Sequence, residues 1–193
     1  MPVCAVHIHV GASCVSNAGG HYYTGTVTTD PWTSIVYTSD ANGKSTGSVS
    51  VNTGALSSEV KGRAMIIHGH GGGRIACAIL SDGVSSALHA SSFVKYYNYN
   101  GALAVSGNVG PMTTASETTQ AFKYSLSGVD PACSSGPDTS KANSCGSESH
   151  GLDVAPSDAL VACIALCLLA LSALTLTRCP ARWSCAQSTS TRA

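Results

Sequence analysis

The chain has 193 residues, only 10 % of them charged, and ten Lys and Arg balance ten Asp and Glu. So even a balance sets up no field that draws nucleic acid or an anionic membrane surface, which excludes nucleic-acid binding. The length leaves room for one small barrel or sandwich with additions, and not for two.

Gly, Ser, Thr and Val are abundant and the runs between turn signals are short, the composition of an all-β domain. Nine cysteines are many for this length. Before the C-terminal segment they are scattered and not set in CxxC pairs, which favours disulfides in an oxidising compartment over a zinc knuckle. The first residues, MPVCAVHIHV, lack the basic and apolar regions of a signal peptide. Against the cysteine usage, this leads to the expectation that the true N-terminus is missing.

Residues Val3 to Val10 alternate as a strand, with Val3, Ala5, His7 and His9 on one face and Cys4, Val6, Ile8 and Val10 on the other. Two imidazoles then point the same way, about 7 Å apart. A Gly- and Ser-rich loop follows through Cys14 to His21, then a loop with Asp30 to Trp32. SIVYTSDANGKSTGSVSV predicts two strands joined at Asn42-Gly43, a dipeptide suited to a tight hairpin. GRAMIIHGHGGGRIACAIL predicts strands over Arg63 to His68 and Arg74 to Leu80 around a Gly-rich connection. A loop over Ser81 to Ala90 leads to SFVKYYNYNGALAVSG, with a turn at Asn100-Gly101, and later to TTQAFKYSLSG.

Residues 129–157 have the composition of a loop or stalk. From Ala159 to Thr177 no charge occurs over about 19 residues, enough for a helix to span the hydrocarbon core. Arg178, Arg182 and Trp183 beyond it place the C-terminus on the cytoplasmic side, with Trp183 as an interfacial anchor. A GPI signal is the competitor, disfavoured by the polar tail that follows. Read alone, such an arrangement would be tail-anchored with the domain in the cytosol. The cysteines argue for a domain held outside the cell. The organisation expected is 1–80, strands with the histidine motifs; 81–90, a loop; 91–128, further strands; 129–157, a stalk; 158–178, a transmembrane helix; and 179–193, a polar tail.

Taken singly, each of His7, His9, His21 and His68 suits a hydrogen-bonded structural role. Together they suit an all-imidazole metal site, since an HxH pair on a strand plus two histidines from elsewhere is how a β scaffold builds one. Imidazole without thiolate or carboxylate favours Cu(II), with zinc as competitor.

HIHVGASCVSNAGGHY followed by GRAMIIHGHGGGRIAC resembles the copper site of the Cu/Zn superoxide dismutase family: HxH, a loop cysteine, a further histidine, then GRxxxxH and GGRxAC. The likeness covers Cys4 to Leu80. It implies a Greek-key β-barrel or sandwich, His7, His9, His21 and His68 as copper ligands, and Arg74 as the catalytic arginine that draws superoxide to the metal. It also implies a Cys14 to Cys77 disulfide and conversion of superoxide to dioxygen and peroxide at the cell surface. No histidine lies between His21 and His68, where the zinc-containing enzymes place zinc ligands, so zinc is not expected. Only five residues separate His68 from Arg74, so the long substrate-guiding loop is also missing. Both departures point to the copper-only branch, which includes tandem-repeat extracellular proteins.

The later segment resembles the first strands of a following repeat, up to CGSESHG, where Glu148 and His150 stand in place of HxH. The expectation is that Phe93 to Gly128 packs beside the early strands and completes one barrel in circularly permuted order; a fragment of a longer multi-repeat protein is the alternative. In such a repeat the cysteine of GVDPAC pairs with one just before HxH, so Cys133 has two candidate partners, Cys4 and Cys145, with Cys4 favoured. Asp30 and Glu59 are candidates for an acid that orients a ligand. His70 suits an exposed turn residue or a proton shuttle, His89 has no assigned role, and Trp32 suits packing or an interface. Oligomeric state is not legible. The rival from another class is a non-enzymatic copper-binding or surface interaction module.

Overall fold

Alternation decides the first strand. Val6 and Ile8 join a core made with residues far along the chain, and His7 and His9 between them necessarily take the opposite face. The computed structural model describes residues 4–83 and 86–135. In chain order the strands are β1 (Ala5–His9), β2 (Lys44–Asn52), β3 (Ala64–His68), β4 (Arg74–Ile79), β5 (Ser81–Asp82), β6 (Leu88–Ala90), β7 (Val94–Lys95), β8 (Ser106–Ser116) and β9 (Thr119–Ser127). One α-turn, α1 (Ser57–Val60), and 3-10 turns over Pro31–Ser34 and Pro131–Ser135 complete the list.

The strands form two antiparallel sheets, β1-β3-β4-β7 and β2-β9-β8-β6-β5. The core between them joins Val6, Ile8, Met65, Ile67, Ala76 and Ala78 of the first to Val49, Val51, Val109, Met112, Phe122 and Leu126 of the second. Each large side chain buried there is worth about 2 kcal/mol. The fold is an all-β sandwich. Late strands pair with early ones: all nine residues of β2 face β9, from Lys44↔Ser127 to Asn52↔Thr119, and β7 pairs with β4 at Ala76↔Lys95 and Cys77↔Val94.

A second, smaller cluster lies on the other face of the four-stranded sheet. Ala64, Ile66 and Cys77 are covered there by Ala18 of the first long loop and by Tyr96 just after β7. That cover makes the histidine-bearing face an interior.

Several elements differ from the sequence-based expectation. The segment before Asn42-Gly43 is no strand, because its groups are engaged with β1 and the histidines: Tyr37 N–H donates to Cys4 O (2.6 Å) and Tyr37 Oη to His68 O (2.8 Å). The turn itself is present, with Gly43 N–H donating to Asp40 O (3.0 Å) at a φ of +69° that favours glycine. Residues 81–90 contain β5 and β6. Only Val94–Lys95 is strand in the tyrosine-rich run, and at the expected turn the chain bends at Gly101 without joining two strands. The eleven-residue β8 carries Gly107, Gly110 and Pro111, breakers that mask it in the sequence. The start of the expected stalk is packed instead, with Val129 and Cys133 buried. Among the described residues no helix is long and apolar enough to cross a membrane. The expected stalk beyond residue 135, the span at 158–178 and the tail at 179–193, with Cys145, Glu148, His150 and Trp183, lie outside the described residues.

Candidate metal centre

Four rings converge. One ligand atom from each of His7, His9, His21 and His68 lies within 4.8 Å of every other, and the four side chains are 0–7 % exposed. Strand β1 supplies His7 and His9. His21 arrives through an antiparallel bridge to His9, with Val10 N–H donating to Gly20 O and Tyr22 N–H to Ile8 O. His68 ends β3, whose register sets Ile66 opposite His7 and Ala64 opposite His9.

Each ring has one nitrogen bonded outward. His7 Nε2 donates to Ile35 O (2.8 Å), His9 Nδ1 to Gly19 O (2.9 Å), His68 Nδ1 to Gly72 O (3.1 Å) and His21 Nδ1 to Asp30 Oδ2 (2.7 Å). A neutral imidazole carries one N–H, so with the rings neutral these bonds set the tautomers and turn four lone pairs inward: Nδ1 of His7 and Nε2 of the others. His7 Nδ1 and His21 Nε2 stand 3.0 Å apart, and His9 Nε2 and His68 Nε2 3.2 Å. Four acceptors facing one another without a proton between them repel, and a cation at their centre relieves this. Metal–imidazole bonds are about 2.0 Å long, so four donors within 4.8 Å of one another are close enough for a single ion to be held by all of them. The donor set fits a metal ion.

The electrostatics agree. Burial, and then the charges of the neighbouring imidazoles, hold His7 well below the ordinary histidine range. His9 is lowered by burial, then by His68 and Arg74. His68 is pushed down to about 3, chiefly by burial. Neutral imidazole, the form that ligates, is therefore the resting state of these rings.

Asp30 holds His21 from behind while its other oxygen accepts Trp32 N–H (2.9 Å), so the carboxylate orients the ring without entering the centre. Glu59 does not take part: its Oε2 accepts Leu56 N–H (2.7 Å) and closes the turn of α1. Trp32 is a buried wall, its ring 5.4 Å from that of His7 and its Nε1 donating to Tyr22 O (2.8 Å). His70 stays outside the four-ring group, and its backbone N–H donates to Asp130 Oδ2 (2.9 Å). His89 lies on β6, and its Nδ1 is buried without a hydrogen-bond partner.

An irregularity in the β3–β4 pairing places Arg74. The register passes from Ile67↔Ala76 to His68↔Arg74, so one residue of β4 is left out and Arg74 stands opposite His68, on the face of the rings. Its Nη1 donates to Asn17 Oδ1 and Tyr96 Oη (2.8 Å each) and its Nη2 to Gly19 O (2.6 Å).

Two disulfides brace the site. Cys14–Cys77 ties the loop before His21 to β4, with Cα atoms 5.6 Å apart, and Cys4–Cys133 ties the residue before β1 to the late segment, with Cα atoms 5.7 Å apart. Their sequence separations of 63 and 129 correspond to about 4 to 5 kcal/mol each in the chain-entropy picture. Both suit an oxidising, extracellular-type environment.

Tyr96, Asn17 and Asp130 went unread in the sequence. Tyr96 is one of three tyrosines in YYNY, and no period marks which of them is inward. Asp130 stands in GVDPAC, where the proline after it signals a turn and nothing signals its reach to His70.

Comparison of the chain with protein-family models, curated proteins and solved structures returns no match.

Proposed function

We propose that the chain is a copper-dependent superoxide dismutase of the copper-only type, converting two superoxide anions and two protons to dioxygen and hydrogen peroxide. The observation that carries this reading is the set of four inward imidazole lone pairs beside a fixed guanidinium, in the motif order HxH, His, GRxxxxH and GGRxAC. The pairing of β9 with β2 and of β7 with β4 supports a Greek-key sandwich in circularly permuted order. Residence at the cell surface, anchored through 159–177, is proposed from the disulfides and the apolar run.

His7, His9, His21 and His68 would hold the copper, which would supply a one-electron couple. The chain's own contribution is electrostatic and positional. Arg74 offers planar, charged donors to a small anion. Asp30 keeps Nε2 of His21 aimed at the centre, which matters most for the only ring supplied by a loop.

Burial of all four rings favours a second reading, a copper-binding module without turnover. One experiment separates the two. The full chain is loaded with one equivalent of Cu(II) and superoxide removal is measured, with Arg74→Ala as the anion-docking variant. Removal that falls at least tenfold in Arg74→Ala supports the enzyme. Stoichiometric copper with no superoxide removal supports the module, and failure to bind copper overturns both.

A further inference from the structure

Arg74 is held by three acceptors, two from the loop before His21 and one, Tyr96, from the segment after β7. Tyr96 follows β7, is 3 % exposed, and places its hydroxyl beside the guanidinium. That hydroxyl accepts from Arg74 Nη1 (2.8 Å) and from the backbone N–H of Ala18 (3.0 Å), and it donates to Asn17 Oδ1 (3.2 Å). A phenol has one proton and two lone pairs, and all three are engaged. Asn17 Oδ1 also accepts from Arg74 Nη1 (2.8 Å) and Gly19 N–H (3.0 Å), and Gly19 O accepts both Arg74 Nη2 (2.6 Å) and His9 Nδ1 (2.9 Å). The positive φ of Gly19, +68°, is backbone that a side chain disfavours, and a Cβ there would meet Val10 Cγ2 at 2.4 Å. The loop segment 17–19, the arginine and the tyrosine are thus one closed hydrogen-bonded unit, attached at one end to a candidate metal ligand.

We propose that Tyr96 is a positioning residue for anion binding: its hydroxyl fixes the Arg74 guanidinium in one orientation and pins the loop on which that guanidinium lies. The inference rests on the copper-site reading and extends it to a residue outside the histidine-bearing strands. Of the five guanidinium N–H groups, two on Nη1 and one on Nη2 are engaged. Nε–H and the second Nη2–H, on adjacent nitrogens, have no partner among the described residues and are open to a small anion. Without the hydroxyl the arginine keeps its charge and loses this orientation. Tyr97, next in sequence and 49 % exposed, serves as the control.

The test uses the full chain and two independent readouts. In the copper-loaded protein, azide binding followed by visible absorption is expected to weaken about tenfold in Tyr96→Phe, the scale of one charge-assisted hydrogen bond. Copper stoichiometry should be unchanged, Tyr97→Phe should match the parent, and Arg74→Ala/Tyr96→Phe should bind azide no more weakly than Arg74→Ala. Parent-like azide affinity in Tyr96→Phe, or a double variant weaker than Arg74→Ala, overturns the proposal. In the metal-free parent, the Arg74 Nη protons are expected to give separate, slowly exchanging NMR resonances; averaged resonances overturn the proposal whether or not Tyr96→Phe folds. If the parent takes up no copper, the site reading fails, while the metal-free spectrum still decides whether Tyr96 holds Arg74.

Discussion

The two outer faces of the sandwich have opposite characters. On the four-stranded sheet the outer face is closed over: Ala64, Ile66 and Cys77 lie beneath Ala18 and Tyr96, and His7, His9 and His68 are buried beside them. On the five-stranded sheet it is bare among the described residues, with Thr46, Ser48 and Ser50 of β2 beside Lys123, Ser125 and Ser127 of β9, all exposed. The difference comes from the strands and from what covers them. The outward residues of the first sheet include Ala64, Ile66 and Cys77, and the 34-residue connection from β1 to β2, through Ala18, together with Tyr96 after β7, packs over them. A sheet face that mixes apolar side chains with histidines becomes an interior where a guanidinium is held. A site of this kind is an added layer on one side of an ordinary sandwich.

The sharpest way to break the comparison is to remove a ring from the covered face. His68→Ala takes one of four converging donors from the centre and is expected to abolish stoichiometric copper binding in equilibrium dialysis; copper retained at one equivalent would show that the cluster is not the site. Acid tests the same face without mutation. In the metal-free chain His68 has its pKa lowered to about 3 from 6.5, with His7 and His9 lowered as well. Between those pH values the unfolded chain binds protons that the folded chain refuses. The stability these groups confer is therefore complete above about pH 6.5 and falls as pH drops toward about 3, measurable as a denaturant midpoint that declines over that window. A midpoint flat over it would contradict the burial of the neutral rings.

Next in size is the bridge that joins the late segment to β1. Cys4→Ser/Cys133→Ser should lower unfolding free energy by about 2 to 5 kcal/mol in urea titration, and no loss would mean that the two segments are held by their strands alone. Asp30→Asn keeps the size of the side chain and removes its charge behind His21; copper affinity should fall about 10- to 100-fold, and unchanged affinity would remove Asp30 from the site. On the bare face, Ser48→Ala or Ser125→Ala should change stability by less than about 0.5 kcal/mol. A loss of 2 kcal/mol there would show that this face is covered as well.

How much of this could be read beforehand depends on the range of each contact. The strand alternation around His7 and His9, the turn at Asn42-Gly43 and strand β3 ending at His68 are local patterns, and they are legible. Cys14 facing Cys77 was implied by the likeness of the motifs, and not by composition or spacing. The second half was harder. β8 is masked by Gly107, Gly110 and Pro111 because a ladder formed with β9 and β6 compensates for residues that propensity counts against it. Glu59 and Asp30 looked equivalent as acids; one closes a helical turn and the other touches His21, a distinction set by where the loop passes.

The sequence by itself determined the candidate donor chemistry: four imidazoles, an arginine and few competing charges, with the period-two spacing that puts His7 and His9 on one face. Only the tertiary structure decided which nitrogen of each ring faces inward, since three outward acceptors are carbonyls of Gly19, Ile35 and Gly72, unmarked by residue type or spacing, and the fourth, the Asp30 carboxylate, stood in the sequence as one of two candidate acids. It also decided that Tyr96, and not Tyr97 or Tyr99, holds Arg74. The physical reason is the same in each case. A tautomer and a side-chain orientation are fixed by partners that the chain brings together only when its two sheets pack, and a backbone carbonyl has no letter in the sequence.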